Sequence, residues 1–205
     1  MAITNYGELK TAVADWLDRD DLTSVIPTFI DLAHAKLNRR LRVREMIQRS
    51  TAGITTQFSN LPPDFLELRN IQLNVTVPKS LEYVTIEQMD QERGLGNVAR
   101  EPVYYTLMGS TIEVFPTPDQ SYTLELAYYK NIPTMTADAD TNWLLTKAPD
   151  AYLYGALLQA SPYLQNQAET QLWGVAHETT IAELEKEDLG ARYGASTLKA
   201  RHRTY

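Results

Sequence analysis

The sequence predicts an α+β protein: a helical bundle made from the N- and C-terminal helices, an inserted antiparallel β-sheet region, and an extended C-terminal arm. Three observations carry that expectation. Near both ends of the chain, apolar residues recur at steps of three and four, as on one face of a helix. Between them, β-branched and aromatic residues alternate with polar ones, and Pro and Gly break the runs. After Leu189 no apolar periodicity remains. The boundaries fall at 1–49 for the N-terminal helices of the bundle, 50–135 for the β-rich insertion, 136–189 for the C-terminal helices and 190–205 for the arm.

Asn5 or Thr4 can cap a first helix over about residues 6–17, striped by Leu9, Val13, Trp16 and Leu17. Asp18-Arg19-Asp20-Asp21 is a polar turn. A long helix over residues 22–49 follows, with Ile26, Ile30, Ala33, Leu37 and Leu41 on one face. Ser24 is its candidate N-cap, and Pro27 is tolerated in a first turn that needs no N–H. These two helices cannot bury their stripes alone; they need a partner layer from later in the chain or from another subunit.

Residues 51–58 read as a strand, 60–64 as a break, and 65–77 as a second strand with a kink. Residues 81–84 are a short strand, and Thr85 caps a short helix that Gly94 stops. Residues 103–108, 112–114 and 122–129 alternate, with Gly109-Ser110 as a two-residue turn, and predict a three-stranded antiparallel meander. Residues 131–141 are a linker rich in Pro, Thr and Asp. Pro149 opens a helix striped by Leu153, Ala156, Leu157 and Ala160, which Pro162 ends. A last helix over residues 164–188 carries Leu164, Ala168, Leu172, Val175, Thr179 and Ala182 on one face, with Gly190 as its stop.

Composition narrows the function. The chain has 205 residues, a formal net charge of -7 and no cysteine. An acidic chain does not coat DNA, since phosphate binding needs a basic surface. The lack of cysteine excludes disulfides, thiolate metal sites and thiol nucleophiles. No apolar run approaches the roughly 20 residues of a membrane span, and the N-terminus has no signal-peptide pattern. His34, His177 and His202 lack metalloprotease or triad spacing, and no phosphate-binding glycine loop or nucleophile elbow occurs. No cofactor or metal site is therefore expected, and no enzyme activity.

Charge placement is more informative. Arg39, Arg40, Arg42, Arg44 and Arg49 cluster after the second helical stripe. Glu183, Glu185, Glu187 and Asp188 sit at the C-terminal end of the last helix, where the dipole disfavours acids. Acids at that end call for external cations, so Arg39, Arg40, Arg42 and Arg44 with Glu183 and Glu187 are candidate subunit-interface charges, pairing within the chain or with a neighbour; a plain solvated face and contact with DNA phosphates are the alternatives. From Leu189 onward there is no acid, while Arg192, Lys199, Arg201 and Arg203 add positive charge to an acidic body.

Four blocks resemble a known family: ITNYGELKTAVADWLDRDDL, IPTFIDLAHAKLNRRLR, LPPDFLELRNI and APDAYLYGALLQASPYL. Together, in this order, they are similar to the head-to-tail adaptor proteins of short-tailed bacteriophages, the tail tubular protein A type included. The resemblance implies a homo-oligomeric, normally dodecameric ring docked under the portal protein, joined on its other side to a tail nozzle or tail tube protein. Double-stranded DNA would pass through the lumen without sequence-specific binding. It implies a virion protein of the head-tail junction, made in the host cytoplasm, with no membrane partner. In that family the helical bundle and the C-terminal arm engage the portal, which makes Arg192, Tyr193, Leu198, Lys199, Arg201, Arg203 and Tyr205 the candidate portal-binding residues. The alternatives are another tail component, such as a stopper or nozzle protein, and a tail-associated cell-wall hydrolase. The hydrolase would need a cleft with two suitably spaced carboxylates, and the sequence offers no such pair.

Overall fold

The computed structural model describes residues 2–96 and 98–193. The chain is α+β and divides into two compact units. One unit combines the residues up to Glu45 with those from Ile132 onward; the other is Met46–Asn131.

The first unit is helical: α1 Tyr6–Leu17, α2 Ile26–Arg40, α4 Trp143–Lys147, α5 Pro149–Tyr163 and α6 Gln167–Tyr193. Helix α5 is central, because α1, α2, α4 and α6 all pack on it. Its sequence suits that place. Ala151, Gly155, Ala156 and Ala160 are buried and small, so neighbouring backbones approach closely. The tightest point is Gly155, where an added Cβ would lie 3.1 Å from the Ala33 Cβ of α2 and 3.3 Å from the His177 ring of α6.

A polar thread runs through this core. Asn142 caps α4 by accepting from the Leu145 N–H at 2.8 Å, and it donates to the Tyr152 hydroxyl at 2.9 Å. That hydroxyl lies 2.9 Å from His34 Nδ1, and His34 Nε2 lies 2.9 Å from Asn38 Nδ2. The Ile132 N–H donates to Asn38 Oδ1 at 2.8 Å, which leaves Nδ2 to face the ring. An amide nitrogen can only donate, so Nε2 accepts and the His34 proton sits on Nδ1. The ring is neutral, and burial pushes its pKa down against the opposing pull of Asp31. Burial also pushes His177 down.

The ends of α2 and of α6 differ from the sequence expectation. Helix α2 stops at Arg40 instead of continuing through Arg49. Leu41 turns extended, and the Arg42 guanidinium accepts its place as a cap by donating to the Asn38 and Leu41 carbonyls at 3.0 and 2.7 Å. A 3₁₀ turn, Arg44–Met46, leads into strand β1 Ile47–Ile54. Arg44 and Arg49 are therefore not helical in the α sense. Its N-cap is Val25, without a side-chain bond, and not Ser24. Helix α6, in turn, passes through Gly190 to Tyr193, so the stretch expected to be extended from Gly190 is helical as far as Tyr193. A helical Gly costs only about 1 kcal/mol against Ala, and the ion pair of Arg192 with Asp188 one turn earlier, at 2.7 Å, spans it.

The second unit holds two sheets, ordered β1-β8-β3-β4 and β2-β7-β6-β5. The strands are β1, β2 Phe58–Asn60, β3 Phe65–Leu73, β4 Lys79–Ser80, β5 Glu82–Tyr83, β6 Tyr104–Met108, β7 Thr111–Phe115 and β8 Tyr122–Lys130. Ile71, Leu73, Leu124 and Leu126 of one sheet share a core with Ile112 and Val114 of the other. The β6–β7 hairpin turns at Gly109-Ser110, with Gly109 at φ 58. The expected meander does not form: β8 leaves the hairpin and pairs antiparallel with β1 and β3. Pro116 and Pro118 stand between β7 and β8, and proline cannot donate to a ladder, so the chain changes sheet there. Helix α3 Ile86–Gly94, capped by Thr85 as expected, packs on β6. Its Arg93 pairs with the buried Glu113, which also accepts from Gln57 at 2.7 Å.

Two outcomes follow for the helical unit, whose unfolding tryptophan fluorescence reports because Trp16, Trp143 and Trp173 all lie in it. Gly155→Val must displace α2 or α6, and overpacking of this kind costs about 1–3 kcal/mol; the urea midpoint should fall accordingly. The pH dependence has a definite sign. Both histidines have folded pKa values below the unfolded one, so the unfolded chain binds more protons. Stability is full above about pH 6.5 and drops as pH falls through that value. The salt-bridged Glu178, lowered by its hydrogen bond from Arg40, stabilises above the ordinary carboxylate range and loses that contribution only as pH falls below it. The decline between about pH 6.5 and 5 should therefore shrink in His34→Gln with His177→Gln, measured by urea midpoints across pH.

Candidate functional site

The residues singled out for charge come together in part, at the end of the helical unit where α2 ends and the C-terminal half of α6 passes. Arg40 donates to both Glu178 oxygens at 2.5 and 2.6 Å and reaches Glu185 at 3.6 Å. The acids facing it are thus Glu178 and Glu185 and not Glu183 or Glu187. Their seven-residue spacing, about two helical turns, puts both on one face, and that was the available sequence signal. The hydrogen bond to Glu178 raises the Arg40 pKa, and the same bond lowers that of Glu178.

Glu187 instead takes Lys147 of α4, at 2.9 Å; the same ammonium meets Glu45 at 3.0 Å. Burial works most strongly against the charge on Glu45, but the Lys147 hydrogen bond, a backbone hydrogen bond and the nearby Lys147 and Arg44 charges together lower its pKa. Asp188 is the buried acid of the group, at 5% exposed. It accepts from the Arg44 N–H at 2.8 Å and pairs with Arg192 at 2.7 Å. Arg192 also donates to the Arg42 carbonyl at 2.9 Å. An acid near the negative end of a helix is disfavoured, and here two donors from outside its turn offset that. Lys147 and Glu178 are the members of this knot that the sequence reading did not single out, while Asp188 belongs to the acidic group it named.

Arg39 and Glu183 are exposed, and neither has an ion-pair partner among the described residues. Arg49 lies in the sheet unit and pairs with Glu125 at 2.7 Å. Of the candidate arm, Arg192 lies in α6, and Tyr193 is its last residue. Leu198, Lys199, Arg201, Arg203 and Tyr205 lie outside the described residues.

The apolar stripe expected on the last helix also needs correction. Leu172, Val175, Thr179 and Ala182 are exposed, while His177, Thr180, Ile181, Leu184 and Asp188 form the buried face. Aromatic contacts hold the N-terminal half: Trp173 lies 5.5 Å from Trp16 of α1 and 6.1 Å from Tyr154 of α5, centroid to centroid.

Chemistry is sparse by comparison. Among the described residues no three His, Asp or Glu side chains converge as metal ligands. A cavity of about 570 Å³ is lined by Ser161, Pro162, Gln165, Asn166 and Thr170, with no acid or histidine among them. A second, of about 250 Å³, brings His177 beside Glu178, but that carboxylate is already held by Arg40. No described helix is long and apolar enough to cross a membrane. The arrangement is one of surfaces and fixed charges.

Comparison with known proteins agrees with that character. No curated protein matches the chain. The family profile described as SU10 adaptor protein matches residues 4–201. Nearly the whole chain is covered, both units included, and the chain belongs to the SU10 adaptor protein family, structural head-tail connectors of bacteriophage virions.

Proposed function

We propose that the chain assembles as a homo-oligomeric ring, dodecameric by its family resemblance, between the portal protein of the capsid and a tail nozzle or tail tube protein. DNA passes through the lumen without sequence-specific binding. The family match over residues 4–201 is the observation that carries this reading. Its mechanism is geometry and not chemistry. A net charge of -7 suits a conduit, since a lumen that gripped phosphate would hold back the DNA.

In this reading the portal contact is made by the end of α6 and the residues after it. Arg192 is committed within the chain to Asp188 and the Arg42 carbonyl, so its role is to fix the direction in which the chain leaves the helix. Leu198 and Tyr205 supply apolar anchors, and Lys199, Arg201 and Arg203 meet carboxylates on the portal. Like-charged copies repel in solution, and docking on a template offsets this by raising their effective concentration.

Sedimentation of the full chain at micromolar concentration, with and without portal, tests the reading. Monomers alone and a ring on the portal are the expected outcome; a stable ring without portal contradicts template-driven assembly. Removal of the residues after Tyr193 should abolish docking while shifting Tm by less than about 2–4 °C, the change 1 kcal/mol makes at this size. Full-affinity docking by the shortened chain would show that the portal contact lies elsewhere.

A further inference from the structure

Helix α6 turns His177, Ile181 and Leu184 inward, yet it carries a second apolar strip on the opposite side. Val175 is 69% and Leu172 is 58% exposed, and Thr179 and Ala182 continue the line. The steps are three, four and three, which is the spacing of a two-helix seam. A scattered exposed apolar residue needs no explanation; a regular strip along a long helix does.

A matching strip faces out from α2. Leu32 is 48% exposed, with Ala35 and Arg39 exposed one and two turns further on. The charges complete the match. Arg39 on α2 and Glu183 on α6 are exposed beside these strips and lack an ion-pair partner among the described residues, as do Lys36 and Lys186 on the same two faces. At about 1.5 Å per residue, Arg39 stands about 10.5 Å beyond Leu32, and Glu183 about 12 Å beyond Val175. With the two helices parallel, Leu32 on Val175 brings Arg39 to Glu183 within about 1.5 Å along the axis. Ala35 and Ala182 leave room for close approach.

Within one copy the strips cannot meet. Helix α2 turns Ala33 and Leu37 into the core, and α6 turns His177 and Leu184 into it, so both strips point away from the α5 they share. We propose that the outward strip of α6 in one copy packs on the outward strip of α2 in the next, with Glu183 paired to Arg39. The inference rests on the ring proposed above and names the contact that closes it. Because the two strips differ, the contact is head-to-tail, the kind that generates rings.

The chain has no cysteine, so single thiols can be placed cleanly. Full-length Leu32→Cys and Val175→Cys proteins are mixed, alone and with portal, and oxidised. Covalent dimers should appear in the mixture, and a ladder of multimers in the doubly substituted chain. Dimers from Val175→Cys by itself would mean that α6 meets α6 about a two-fold axis, which overturns the proposal. A ring that forms without any cross-link would place the strip against the portal or a tail protein; that overturns this contact and leaves the ring standing. Absence of any ring on the portal defeats the ring reading and this contact with it. Charge exchange gives an independent readout. Glu183→Arg and Arg39→Glu should each weaken assembly about fivefold, the upper end for an exposed pair, and together they should restore it. Equal weakening without restoration overturns the pairing.

Discussion

Three helices meet at a residue with no side chain. Gly155 lets α2 and α6 reach the same turn of α5, with Ala33 on one flank and the His177 ring on the other. Much of the helical unit depends on that approach. It brings the end of α2 near the C-terminal half of α6, where Arg40 finds Glu178 and Glu185, and where Asp188 finds the Arg44 N–H. The ion pairs do not hold the helices there. Exposed pairs contribute about 0–1 kcal/mol each, while a buried side chain such as Leu184 or Ile181 contributes roughly 1.5–3 kcal/mol. Packing sets the distance, and the charges choose the register along the helices.

Buried polar groups add a second constraint. The thread from Asn142 through Tyr152 and His34 to Asn38 joins the linker after the sheet unit to α2 and α5. Every member has a partner, which is the condition under which a buried network rigidifies a core instead of weakening it. Such rigidity suits a structural adaptor, the family to which the chain belongs.

Local signals were read well and partner choice was not. Asn5 capping α1, Thr85 capping α3, the Gly109-Ser110 hairpin and the start of α5 at Pro149 all depend on residues within a few positions of one another. The failures are non-local. Strand β8 alternates equally well beside β7 or between β1 and β3, and only the shared core decides. Helix α6 carries two stripes, and apolar content alone favours Leu172, Val175, Thr179 and Ala182 as its core face, although they are exposed. The face that is buried contains His177 together with Thr180 and Asp188, whose partners, Asp150 and the Arg44 N–H, come from elsewhere in the chain. Gly190 misled for the same reason, since a helix continues past glycine when a side chain such as Arg192 is anchored beyond it. Of the two acids near Arg40, Glu185 lies in the acidic run legible at the end of the last helix, while Glu178 lies outside that run.

The two stripes also give the helical unit its functional logic. One stripe is buried within the helical unit, and the other is exposed. The chain belongs to the SU10 adaptor family, and a second copy of the chain is the partner proposed for the exposed stripe. The most direct test is an electron cryo-microscopy reconstruction of the head-tail junction in intact particles. The account predicts a closed ring of identical copies between portal and tail, around an open channel. Density for this chain at the distal tail tip, or in a single copy away from the channel, would contradict it.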